Sequence, residues 1–355
     1  MPDSVRGEQR RAERLATSSG DVAAMLWADE VAGLPLWRRE TRDNSLENRV
    51  GSLHARYRLS LEAKRQAVEP GIVRDGWGHT GTGLAPIALI ARLARLAGLG
   101  NATDRRPPRV VHHNLEMRGL PASLEGLTLA HISDLHLDLC AGPRVGALAA
   151  AASSEASDAL VITGDLFTSA LAPARAGAAL DALSRVLEQH GGPAFAVLGD
   201  EDSLWAVPRL EQIGLRVLVN ESVALSYGED RLYLAGVDDP AYFKADDVEA
   251  AQQCIPAGAT TVLLAHSPEI YRRAAGACFH AMLCGHTHGG QLCLPNGKPL
   301  VHTGRAPFKV SRGSWRHGQM SGYTSAGCGA TPLRLRLNCP AEVTFHHLTR
   351  LAGEG

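Results

Sequence analysis

The chain has 355 residues, of which 45% are hydrophobic, and a formal net charge of −1. That composition excludes wholesale disorder, and the charge excludes a globally basic nucleic-acid binder, so no nucleic-acid partner is expected. The length suits one large α/β domain with an appendage, or two smaller domains.

Charge is uneven along the chain. Residues 1–110 carry 18 Lys+Arg against 13 Asp+Glu, a net of +5, while the remainder carries 18 against 24, a net of −6. An anionic contact is therefore expected, if anywhere, in the N-terminal third. Arg10-Arg11 is followed by Asp21, Asp29 and Glu30 rather than by an apolar core, so a twin-arginine export signal is not expected. Residues 1–83 read as mixed short helices with a solvated, Arg-rich surface. In residues 86–97 the leucines Leu89, Leu93 and Leu96 are spaced for one helix face. The bland reading is a helix docked on the main domain. The sharper one is an interfacial helix with Arg92 and Arg95 at a membrane surface. No run of 18 apolar residues occurs, so a spanning helix is not expected. Residues 101–109 (NATDRRPPR) read as a linker, closing a partly helical N-terminal extension, 1–109. The 7 cysteines are odd in number and lack a Cys-x-x-Cys pair, which points to reduced thiols and a cytoplasmic setting, peripheral to the membrane if residues 86–97 dock there.

From about residue 110 short apolar runs alternate with helical stretches, the pattern of sheets covered by helices. The runs are 127–132, 159–162, 194–198, 232–235, 261–265 and 281–284. Pro173–His190 reads as a helix, with Leu180, Leu183 and Leu187 on one face and Gly191-Gly192 as its stop. Leu333, Leu335 and Leu337 alternate with Arg334, Arg336 and Asn338, as in a half-buried strand, and Val343 and Phe345 suggest another beside it. Residues 110–355 are thus expected to form one α/β domain.

Five of the apolar runs end in metal-binding residue types. They give Asp134 with His136, then Gly164-Asp165, then Gly199-Asp200-Glu201-Asp202, then His266, then Gly285-His286-Thr287-His288. Ligand sites in open α/β sheets form beyond the carboxyl ends of strands, so these ends are expected to share a crevice. Asp134 and His136 are two apart, as are His286 and His288, and in an extended segment such pairs point the same way. A lone Asp at a strand end is usually a turn former, and a lone His usually a satisfied polar residue. Five such ends together need a joint cause. Seven donors exceed the four of one tetrahedral zinc and suit two ions sharing a carboxylate. The imidazole share favours Mn, Fe or Zn over Ca and Mg. Two such ions clamp a phosphoryl group for in-line displacement and lower the pKa of bound water.

These motifs resemble the calcineurin-like metallophosphoesterases, whose pattern runs D-x-H, G-D, G-N-H-[DE], His, G-H-x-H. Order and spacing agree over about residues 110–350, and the contexts SDLHLD, LLAHSPE, GHTHGGQ and NCPAEVT are most similar to the bacterial phosphoesterase group. The resemblance implies a four-layer sandwich of two mixed β-sheets flanked by helices. It implies that Asp134, His136 and His288 hold one ion, that Asp200, His266 and His286 hold the second, and that Asp165 bridges them. A hydroxide between the ions would attack a phosphoester, the small-molecule or lipid substrate implied. One motif departs from the pattern. Asp200 stands for the family Asn and Glu201 for the family His, which stabilises the transition state or protonates the leaving oxygen. Three outcomes stay open: Glu201 acts as the acid with a raised pKa, it points away and good leaving groups are favoured, or hydrolysis is lost and a metal-bearing binding or scaffold protein remains. Arg316 and His317, beside Arg312 in a Gly-rich segment, are weaker candidates for contacting the substrate. Asp238-Asp239-Pro240 reads as a turn, and His346-His347 is given no role. No obligate protein partner is expected.

Overall fold

The computed structural model describes residues 46–68, 106–139, 142–168, 173–300, 304–330 and 335–351. The expected helix at 86–97, and most of the expected linker, lie outside the described residues. Among the described residues two helices precede the sheets: α1 (Leu46–Val50) and α2 (Ser52–Val68).

Two six-stranded sheets follow. The first has strand order β1-β12-β2-β3-β4-β5, formed by β1 (Arg109–Met117), β2 (Thr128–Ile132), β3 (Ala159–Thr163), β4 (Ala194–Val197), β5 (Leu215–Val217) and β12 (Glu342–Arg350). The second has order β10-β11-β9-β8-β7-β6, formed by β6 (Glu221–Tyr227), β7 (Asp230–Gly236), β8 (Thr260–Leu264), β9 (Ala281–Cys284), β10 (Gly313–His317) and β11 (Met320–Thr324). Both sheets are mixed, because β12 runs antiparallel to β2, and β6 and β10 run antiparallel to β7 and β11. Helices α3 (Gly142–Ala152), α4 (Pro173–His190) and α5 (Val207–Gln212) accompany the first sheet, and α6 (Val248–Gln252) and α7 (Tyr271–Gly276) the second.

Alternation along the strands explains the layering, since successive side chains point to opposite faces. Leu129, Ala159 and Val161 join Leu234, Val262 and Leu283 in a core between the sheets. Their neighbours Ala130, Leu160 and Ile162 face Leu148, Leu183 and Val186 of α3 and α4. On the far side, Ala235, Leu263 and Met282 pack against Val248, Tyr271 and Ala274. The result is helix, sheet, sheet, helix. The parallel strands β2, β3, β4 of one sheet and β7, β8, β9 of the other are buried on both faces, which is why they read as unbroken apolar runs.

The strand expected around Leu335 and Leu337 is not formed by the described residues. Leu337 makes an isolated bridge to Leu292, and Leu333 and Arg334 lie outside the described residues. The alternation fails because Arg336 turns inward and donates to the carbonyls of Gly329 and Ala326. The neighbouring expectation is met by β12, which spans Val343 and Phe345. No helix among the described residues is long and apolar enough to cross a membrane.

Candidate metal centre

The chemistry sits where the carboxyl ends of β2, β3, β4, β8 and β9 meet. Each donor follows its strand within a few residues, and the loops are zipped together. The Asp134 amide donates to the Gly164 carbonyl at 3.0 Å, the His136 amide to that of Asp165 at 3.1 Å, and the Gly285 amide to that of His266 at 2.8 Å. The glycines are required by proximity. A Cβ on Gly199 would collide with Asp165 Oδ1, and one on Gly285 would collide with Ser133 Oγ.

Asp134, His136 and His288 form one trio of buried donors, and Asp200, His266 and His286, of which only His266 is fully buried, form a second. In the first, His288 Nε2 lies 3.6 Å from Asp134 Oδ1, and the His136 and His288 rings stack at 5.3 Å. In the second, Asp200 Oδ1 is 3.2 Å from His266 Nε2 and 3.1 Å from His286 Nδ1. Asp165 stands between them, with Oδ2 at 3.9 Å from His136 Nε2 and 3.4 Å from His266 Nε2. Glu201 joins His136 and Asp165, with Oε2 at 3.7 Å from His136 Nδ1. All seven residues expected as ligands are therefore brought together, and Glu201 with them.

Arg316 and His317 are not. They lie at the end of β10 paired with Ser321 and Met320, while the site lies at the opposite end, beyond Cys284 and Thr324. Antiparallel pairing of β10 carries them away from the carboxyl ends of β9 and β11. Arg316 instead pairs with Glu116 at 3.0 Å, and His317 meets the Tyr271 ring edge-on. Their assignment as substrate contacts is corrected accordingly.

Charge and hydrogen bonding fit bound metal. His266 Nδ1 donates to the Thr163 carbonyl at 2.8 Å, which leaves the Nε2 lone pair aimed at the oxygens of Asp165 and Asp200. A lone pair facing carboxylates needs a proton or a cation between them. His136 Nδ1 has Thr168 Oγ1 at 3.2 Å, while its Nε2 is buried without a hydrogen-bond partner, as is Glu201 Oε2. The titrations reflect the same crowding of acids. Burial, then Asp165 and Asp200, push Glu201 well above the usual carboxylate range. Burial and Asp165 push Asp202 up to about 7. Burial works against an ionised Asp200, yet His286 and His266 hold it well below its ordinary value. Burial, then His136 and Arg336, push His288 well below that of free histidine.

Other residues hold the donors in place, Asp202 from within the third motif and those of helix α2 with no sequence signal of their own. Asp202 accepts from the amides of Leu166, Phe167 and Gly199, tying two of the donor loops together. Helix α2 is seated on the loop that carries Asp200 and Glu201. Arg58, fully buried, binds Glu62, Asp238 and the Asp202 carbonyl, Glu62 accepts from Ser203 and Leu204, and Arg65 donates to the Asp200 carbonyl. Asp239 accepts three backbone amides, so the expected turn is present, whereas its neighbour Asp238 is the partner of Arg58 and His54.

No family model matches the chain. It is 28% identical over 237 residues to the uncharacterized metallophosphoesterase YkoQ of Bacillus subtilis (strain 168), covering 65% of this chain and 86% of that protein. It is 31% identical over 268 residues to a transmembrane protein with metallophosphoesterase domain of Danio rerio, covering 69% of this chain and 56% of the relative. It is 31% identical over 166 residues to phosphodiesterase YaeI of Escherichia coli (strain K12), covering 44% of this chain and 58% of that one. The chain thus spans little more than half the length of the last two. With relatives named for this chemistry on the one hand and the motif residues gathered at the strand ends on the other, the chain belongs to the calcineurin-like metallophosphoesterase superfamily.

Proposed function

We propose that the chain is a phosphoester hydrolase working with two divalent transition ions (Mn, Fe or Zn), preferentially on phosphodiesters, whether small molecules or lipids. One observation carries the reading: seven N- and O-donor side chains from five strand ends meet as two trios on either side of Asp165. Asp134, His136 and His288 would hold one ion, Asp200, His266 and His286 the other, and Asp165 reaches both. Bound there, such ions supply Lewis-acid polarisation of the phosphoryl oxygens and a water that loses its proton near neutral pH. The chain's own residues supply the rest. The Thr163 carbonyl fixes the tautomer of His266, so that its Nε2 faces the centre, and Thr168 sits at the outer nitrogen of His136. Asp202 keeps the donor loops in register. Glu201 Oε2, buried beside His136 without a partner, is the oxygen positioned to hand a proton to the leaving group. The extra negative charge of Asp200 repels a dianionic monoester more than a monoanionic diester, which supports the diester preference. The six described cysteines are all free, which supports a reducing, cytoplasmic setting.

The test is turnover of bis(p-nitrophenyl) phosphate against p-nitrophenyl phosphate by metal-loaded protein, before and after chelation. Faster diester turnover that the chelator abolishes is expected. Turnover indifferent to the chelator, or preference for the monoester, contradicts the reading. Glu201 in place of histidine favours a second reading, a metal-bearing binding protein without hydrolysis, for which loaded protein inert toward every ester would be the signature.

A further inference from the structure

The dipeptides His112-His113 and His346-His347 lie on the adjacent parallel strands β1 and β12, and alternation sends one member of each to either face. On the inner face the rings form a chain that is fully satisfied. Thr163 Oγ1 lies 2.8 Å from His131 Nε2, His131 Nδ1 lies 3.1 Å from His346 Nε2, and His346 Nδ1 lies 2.9 Å from His113 Nδ1. One proton per neutral ring, passed in one direction, completes every link.

The outer face differs. His112 Nε2 is 3.0 Å from Glu155 Oε1, and an ionised carboxylate only accepts, so the His112 proton is on Nε2. His347 Nδ1 is 3.0 Å from Thr128 Oγ1, and the Thr128 hydroxyl donates its proton to the Gly126 carbonyl at 3.3 Å, so the His347 proton is on Nδ1. Both protons are therefore committed outward. The inner nitrogens, His112 Nδ1 and His347 Nε2, face each other 3.3 Å apart with lone pairs on both. That separation is close to the edge of a tetrahedron whose metal–nitrogen bonds are about 2.0–2.1 Å. Each ring is oriented from behind by an oxygen, as metal-bound imidazoles commonly are. Both histidines stand on paired strands of one sheet, which fixes their spacing, and the half-exposed His112 and Glu155 leave an approach from solvent.

We propose that His112 and His347 form a third metal site, separate from the catalytic centre, which takes one borderline divalent ion of the Cu, Ni or Zn class. Two imidazole nitrogens at a tetrahedral edge, with water completing the shell, suit Zn(II) by geometry and Cu(II) by its greater affinity for imidazole, and exclude Mg and Ca. Glu155 and Thr128 orient the rings rather than bind the ion.

The experiment is Cu(II) uptake by the full chain, read by equilibrium dialysis and by the nitrogen hyperfine pattern of the bound ion in electron paramagnetic resonance. Wild type is expected to take one more ion than His112→Ala and than His347→Ala, with two nitrogens coupled to it. Glu155→Gln should keep the ion with affinity lowered about 10–100-fold. His112 is half exposed on an edge strand, so unchanged melting of its variant verifies the fold. Equal uptake by wild type and both histidine variants overturns the proposal, whatever the catalytic centre holds.

Discussion

Five of the seven donors, Asp134, His136, Asp165, His286 and His288, have positive φ, between 45° and 68°. None is glycine, and each such residue stores strain of order 1–3 kcal/mol that the surrounding fold must hold in place. Strain concentrated on these residues is what a site built around a ligand requires, because the backbone is bent to aim side chains rather than to relax. Asp165 is the residue on which both trios depend. Asp165→Ala is expected to lower turnover about 10³-fold and to reduce bound metal in the same sample, read by kinetics with elemental analysis. Full metal content with lost activity would contradict its bridging place. Glu201→Gln separates the acid from the alternatives. Turnover of alkyl diesters should fall about 10²–10⁴-fold while p-nitrophenyl diesters lose far less, and equal losses on both would remove its role as proton donor. The donors were legible in the sequence because each motif has a fixed spacing. Arg316 and His317 were misread because proximity in sequence to the last motif says nothing about which end of a strand a residue occupies.

At the level of elements, the strands that carry donors were legible because they are buried on both faces, and the edge strands β1, β6 and β10 were not. β1 holds His112, His113, Asn114 and Glu116, and β6 and β10 alternate through half-exposed positions, so none of the three gives an apolar run. The turns after the strands depend on glycine for space. Gly285→Ala would put a methyl group 2.5 Å from Asp134 Oδ2, whereas Gly146→Ala in α3 meets nothing within 4 Å. Gly285→Ala is expected to weaken metal retention at least about 10-fold in chelator competition, with Gly146→Ala unchanged; equal retention would show the turn to be slack. Helix α2 was read only as part of a mixed helical stretch, because the charges of Arg58, Glu62 and Arg65 suggest solvent. They are instead spent on the loop bearing Glu201. Arg58→Ala leaves Asp238 and Glu62 buried without their cation, so unfolding in urea should show a loss of about 3–5 kcal/mol. A loss below about 1 kcal/mol would contradict the burial of that pair.

For the whole molecule, three core layers hold two sheets so that their carboxyl ends meet, and the buried histidines between the sheets set its acid limit. Burial pushes His131 down to about 3, and burial with His131 beside it pushes His346 well below free histidine. Because these folded values lie below the unfolded value of about 6.5, the unfolded chain binds more protons. Their contribution is complete above pH about 6.5 and is lost as pH falls toward about 3. Thermal melting is expected to drop steadily from about pH 7 to about pH 4, and more shallowly in His131→Gln; parallel slopes would show that His131 is not buried neutral. The architecture followed from the alternation of runs and motifs, while the seating of α2 and the inward turn of Arg336 depend on tertiary partners that no local pattern records. The most direct test of the account is an anomalous difference map from crystals of protein grown with Mn, Fe or Zn. Two peaks are predicted among the strand-end donors, one within reach of Asp134, His136 and His288 and the other of Asp200, His266 and His286, with Asp165 touching both. A single peak, or none among these residues, would contradict it.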